Sequence, residues 1–267
     1  MKRSLAVVTL LALGGFAPVS RAAEPAGAQV EHARAVLAAL VAAGKKNQQL
    51  PPGVGKADAP ARRSKDELTA YYFREAAAAA LKVPAEHQAA AFLLALGIGL
   101  DTSDLMRKNP VTRGLWLKIE ADDERKQRLE VIGEPTVQGR HDLCQHFVVS
   151  CALSAQLGVK NAEAAGIMKE VLDARDGGSG FSFCDLSADL AGVTFAKQIL
   201  ASPKTLAAVE KSFVVADYTL SPKGMVEGLT QDEFAKEYGS VADKRFLTKF
   251  EALRADVQAL PGFKDKK

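Results

Sequence analysis

The chain has 267 residues, of which 48% are hydrophobic, 25% charged and only 6% aromatic. That balance is globular, and the length allows one large domain or two small ones. The 35 basic and 32 acidic residues form no basic block. Nucleic acid and anionic membrane surfaces, which select such blocks, are therefore not expected as partners.

The first residues read as an export signal. Lys2 and Arg3 precede the apolar run Leu5 to Phe16, and Ser20-Arg21-Ala22 gives a small-x-small cleavage pattern. Residues 1–22 are then a signal peptide, the mature chain begins at Ala23, and a periplasmic or secreted location is expected. Removing Lys2, Arg3 and Arg21 takes the 35 basic residues to 32, against 32 acids, so the mature chain is neutral. Export also permits disulfides, but the cysteines number three. Cys144 and Cys151 are seven apart on one predicted helix, about 10 Å of rise, too far to bond each other. Cys184 is the one that could reach either, and the alternative is three small buried hydrophobes.

The frequent Ala and few β-branched runs favour helices throughout. Pro25 to Gly44 reads as a helix with Val36, Leu37, Leu40 and Val41 on one face. Lys45 to Arg63, with Pro51-Pro52-Gly53, Gly55 and Pro60, is a connector. Residues 23–63 thus form an N-terminal helix and linker, loosely attached to a helical domain over 64–267. Ser64 and Glu67 make a capping box for a helix to about Val83. Pro84 opens the next helix, whose run Ala89 to Leu100 is too short to span a bilayer and reads as buried core. No transmembrane span is expected in the mature chain. Trp116 lies in a short element, and Ala121 to Gly133 is a charged helix read as a solvated face. Later, Pro203 opens a helix to about Phe213, Phe213 to Leu220 reads as a strand, and Thr230 with Glu233 caps a helix to Tyr238. A last helix runs from about Asp243 to Leu260. The fold class is mainly α, an irregular multi-helix bundle with a central three-helix unit over about 141–200.

That unit carries the candidate site. Its helices run from about His141 to Leu157, Ala162 to Ala174 and Asp185 to Leu200. Short links make neighbours antiparallel, so the first helix start, the second helix end and the third helix start share one end of the bundle. Asp142 and His146 share a face there, as do Glu170 and Asp173, and Asp185 and Asp189. The turn Gly177-Gly178-Ser179-Gly180 closes over them. Carboxylates with one imidazole suit a divalent metal, and a spare carboxylate can act as general base for a bound water. The expected ligands are His146, Glu170, Asp173 and Asp189, with Glu170 also catalytic, and Asp142, Asp185 and His141 around them. No nucleophile elbow, P-loop or HExxH helix occurs: GGSGFS is not GxSxG, and HDLCQH spaces its histidines five apart.

The pattern Asp142-x-x-x-His146-Phe147, Lys169-Glu170-x-x-Asp173, then Gly178-Ser179-Gly180-Phe181-Ser182-x-x-Asp185-Leu186-x-x-Asp189 resembles the YfiM-type family of bacterial envelope proteins. It is more distantly similar to the VanZ-like proteins. The resemblance covers about Asp142 to Gly192. It implies that His146, Glu170, Asp173, Asp185 and Asp189 form one motif set, and it implies no particular activity. This chain differs in its long N-terminal half and in lacking a lipidation cysteine. Two functions stay open: a metal-dependent hydrolase of the bacterial envelope, or a non-catalytic envelope protein whose polar cluster fixes helix register.

Overall fold

The computed structural model describes residues 27–52 and 61–264. The export segment 1–22 and residues 53–60 of the connector lie outside the described residues. In chain order the helices are α1 (Gly27–Gln48), α2 (Lys65–Ala80), α3 (Ala85–Leu100), α4 (Leu105–Lys108), α5 (Arg113–Ile119) and α6 (Asp122–Val131). They continue as α7 (His141–Leu157), α8 (Val159–Asp173), α9 (Phe183–Ala201), α10 (Pro203–Ser212), α11 (Gln231–Tyr238) and α12 (Lys244–Gln258). Among the described residues there is no β-strand, only isolated bridges. The protein is mainly helical, a bundle, and no described helix is long and apolar enough to cross a membrane.

Helix α7 is the hub, with α3, α8 and α9 all packed against it. Its buried positions Leu143, Cys144, Phe147, Val148 and Cys151 follow helical spacing, and Gly158 (φ 86) ends it. Gly97 lets α3 come close: a Cβ there would stand 2.3 Å from Ala152 Cβ. α1 packs on α3 and α2 through Ala33, Val36, Leu37 and Leu40, all buried. It is part of the common core and not a loose appendage, because α3 is apolar all round and needs cover on more than one face.

Two aromatic groups frame the bundle. Phe73, Phe92, Phe147 and Phe195 meet in the centre, and Phe213 stacks on Phe73 with ring centroids 4.2 Å apart. Phe181, Phe183, Phe234 and Phe246 form the second group, which fixes the segment leading into α9. Backbone pairing holds the same segment: Phe181 and Leu229 exchange N–H···O bonds of 2.7 and 3.1 Å, and Phe183 N donates to Val226 O at 2.9 Å. The loop carrying Glu227 and Gly228 is thereby tied across the start of α9.

Three local expectations give way to distant contacts. Ser64 occupies the N-cap of α2 without a side-chain cap bond. Lys65 enters the helix at φ 52, and its carbonyl accepts from Thr136 N at 3.4 Å in a bridge with the strand-like Pro135 segment. Phe213 to Leu220 contains the 3₁₀ turn Val215–Asp217 in place of a strand, since Phe213 and Tyr218 stack into the aromatic core and no strand lies alongside among the described residues. The charged helix is not wholly a solvated face. Arg128 is 1% exposed and holds Glu120, Gly99 O and Asp101 O. The other capping box forms as read: Thr230 Oγ1 accepts from Glu233 N, and Glu233 accepts from Thr230 N. All three cysteines are free and buried.

Candidate metal centre

His146 sits on the second turn of α7, facing α9. Its Nδ1 lies 3.2 Å from Asp189 Oδ2 and its Nε2 lies 3.3 Å from Asp185 Oδ2. The four-residue spacing of the two aspartates on α9 puts one on each edge of the ring. Ser150, one turn further along α7, donates to Asp189 Oδ1 at 2.7 Å and fixes that carboxylate. Ser182 caps α9 by accepting from Asp185 N at 3.0 Å, which sets the first turn from which Asp185 projects.

Glu170 comes from α8 and is fully buried. Its Oε2 accepts from Ser182 N at 3.0 Å, and its Oε1 accepts from Lys169 Nζ at 3.0 Å. Lys169 also donates to Asp173 Oδ2 at 2.7 Å. Gly166 permits α8 to lie this close: a Cβ there would stand 2.9 Å from Asp189 Oδ2. One ligand atom each from His146, Glu170 and Asp185 fall within 4.8 Å of one another, so three helices supply one potential coordination set.

The electrostatics follow from crowding. Burial opposes charge on His146, but Asp189 and Asp185 outweigh it and raise its pKa to about 10, so the ring is an imidazolium without a metal. Burial raises Glu170 to about 7, against the pull of Lys169 and His146. For Asp185, burial is overcome by His146 and Lys169, and its pKa lies below the usual carboxylate range. At the rim, Arg140 donates to Asp142 Oδ2 at 2.6 Å and to Glu227 Oε2 at 2.7 Å, with Asp185 Oδ1 at 3.6 Å. The hydrogen bond from Arg140 lowers the Asp142 pKa.

The cluster forms the polar end of a cavity of about 630 Å³ between α4, α7, α8 and the start of α9. Ser179 and Gly180 line that end, where the glycine turn was expected to close over the site. Gly228 from the later loop joins them.

The geometry sorts the expected residues. His146, Glu170, Asp185 and Asp189 meet. Asp185 and Asp189 exchange places relative to the sequence reading: Asp185 joins the coordination set, and Asp189 stands behind the ring at Nδ1. Asp173 bonds only through Lys169, which separates it from His146 as a ligand. Asp142 is a rim residue held by Arg140. His141 is elsewhere, with Nδ1 2.8 Å from Pro135 O and Nε2 3.1 Å from Thr102 Oγ1. Glu170 is fully buried and does not line the cavity, so the catalytic contact with a substrate expected of it is not available there. Lys169 is the resident cation of the cluster, paired with Glu170 and Asp173. Its presence could have been anticipated from charge alone, since converging acids need a counter-charge. Arg140, Ser150 and Glu227 had no sequence signal. The chain matches no family model, no curated protein and no solved structure.

Proposed function

We propose that the protein is a metal-dependent hydrolase, with one divalent ion held by His146, Glu170 and Asp185. The observation that carries this reading is the set of three ligand atoms from three helices within 4.8 Å of one another beside a cavity. Three protein ligands leave a coordination position open, as catalytic sites do. One imidazole among carboxylates suits zinc or manganese. Asp189 keeps its place at His146 Nδ1 and orients the ring, the role of a carboxylate behind a histidine ligand. The ion would polarise a substrate carbonyl and supply a nucleophile by lowering the pKa of a bound water, while His146, Glu170 and Asp185 would hold it.

Metal analysis of the purified protein tests this directly. Stoichiometric zinc or manganese is expected, lost in His146→Ala and Glu170→Ala. Metal at a hundred times its Kd is expected to add about 2.7 kcal/mol of stability. No bound metal, and a melting temperature indifferent to divalent ions, would sink the proposal.

A second reading rests on Lys169, whose ammonium already occupies a cation position against Glu170. In that reading the cluster is a buried network that fixes helix register, with no ion. Lys169→Met separates the two. It strengthens metal binding if the ammonium competes with an ion, and it destabilises the protein with no effect on metal if the ammonium is the only cation.

Export is proposed on residues 1–22, and the bacterial envelope as destination on the Asp142–Gly192 resemblance. N-terminal sequencing of the exported form would read Ala23.

A further inference from the structure

The cavity beside the cluster is ordered from polar to apolar along one face of α7. Asp142, Gln145 and His146 line it at the start of the helix, and Val149, Leu153 and Leu157 line it further on. The opposing wall supplies Leu105, Met106, Ala165 and Met168. Polar residues on the α4 side turn their polar atoms to the backbone: Thr112 Oγ1 donates to Met106 O at 2.5 Å, and Asn109 Oδ1 accepts from Val111 N at 2.9 Å. This wall therefore offers a ligand little beyond apolar contact.

The dimensions narrow the ligand. From His146 to Leu157 the helix rises about 16 Å, at 1.5 Å per residue. An extended chain advances roughly 1.2 Å per backbone bond, so about a dozen bonds fit. The charges narrow the head group. Asp142, Asp185, Asp189 and Glu227 outnumber Arg140, Lys169 and His146 around the polar end. A free carboxylate would be repelled there, and an uncharged group would not.

We propose that the cavity takes an amphiphile with an acyl tail of about a dozen carbons along α7, its uncharged ester or amide resting at His146. Binding of the tail stands on the cavity alone. Turnover rests on the metal-site reading given above. In that step the oxygen of water bonds to the acyl carbon and the bond from that carbon to the leaving oxygen or nitrogen breaks. The leaving atom takes one of the water's two protons, the other passes to solvent, and the products are a carboxylate and an alcohol or amine.

Calorimetry on metal-free protein, with monoacylglycerols of increasing chain length below their micellar concentrations, tests the binding. One site is expected, tightening roughly fourfold per methylene until the groove is filled and then levelling. Dodecanoate is expected to bind more weakly than monododecanoylglycerol. Ala165→Phe, which fills the tail region without touching the cluster, is expected to weaken monododecanoylglycerol at least tenfold. Leu157→Glu, at the partly buried far end, is expected to weaken long chains and leave short ones unchanged. Absence of length dependence, equal binding in both variants, or a preference for dodecanoate overturns the proposal. Ester binding without any metal binding would keep the ligand class and remove the hydrolase. Metal binding without ester binding would do the reverse.

Discussion

At the scale of residues, Glu170 and His146 make the metal-free protein sensitive to base. Glu170 has a folded pKa raised to about 7 from 4.5, so its favourable contribution is full below 4.5 and lost as pH rises through 7. His146, raised from 6.5 to about 10, contributes fully below 6.5 and loses that contribution as pH rises through 10. Asp185 acts oppositely: its lowered value gives stability above 3.8 that is lost as pH falls through the folded value. The metal-free optimum therefore lies on the acid side of neutrality. Glu170→Gln is expected to remove the fall between about pH 4.5 and 7, worth about 2–3 kcal/mol at most. Urea titrations of the metal-free variant at several pH values measure it, and an unchanged fall would refute the assignment. The polar letters of this site were legible because helical spacing is local: His146, Asp185 and Asp189 are related by fixed offsets along α7 and α9. Which aspartate faces which ring nitrogen was not legible, because it depends on the rotation of α9 about its own axis. The role of Lys169 was not legible for the same reason, since its side chain folds back onto Glu170 and Asp173 from a partly exposed position.

At the scale of elements, the site depends on how closely α3, α8 and α9 approach α7. Gly97→Ala is expected to cost about 1–3 kcal/mol, because its Cβ would overlap Ala152. The double variant with Ala152→Gly is expected to recover part of that loss but not all, since Val148 O also stands 2.8 Å from the added carbon. Thermal melts of the three variants measure the coupling, and strict additivity would show that the two helices are not in register at that contact. Helices with strong periodicity, such as α7, were legible to the residue at both ends. Elements decided by distant partners were not. Phe213 to Leu220 has the composition of a strand, but it has no neighbour to pair with and gives Phe213 and Tyr218 to the aromatic core instead. Lys65 is held by the Pro135 segment seventy residues away in sequence, and that contact displaces the Ser64 cap.

At the scale of the molecule, α1 is the part whose role sequence reading underestimated. Its heptad-like apolar face was visible, but the partner face on α3 was not, because an all-apolar helix does not announce which side is covered by what. A chain beginning at Ser64 is expected to lose its cooperative thermal transition, since the face of α3 at Gly99, which Leu37 and Leu40 of α1 cover, would be laid open. Retention of a sharp transition in that truncation would mean that α1 is dispensable. The buried Arg128 and Glu120 brace the same region: with Gly99 O and Asp101 O they fasten α6 to the end of α3, the helix on which α1 packs. Nothing in the charged run distinguished Arg128 from its solvated neighbours except its position relative to α3.

The three unpaired thiols give the molecule an internal clock. Cys144 and Cys184 are buried with pKa values pushed up to about 12, and Cys151 is raised well above its ordinary value, so none is a thiolate in the native state. Oxidants and alkylating reagents meet these sulfurs only after the bundle opens. The native protein is expected to react slowly with thiol reagents, while an unfolded copy exposes three thiols that can mispair with other chains. The rate at which an alkylating reagent consumes the thiols of the intact protein then reads out how often the core around α7 comes apart.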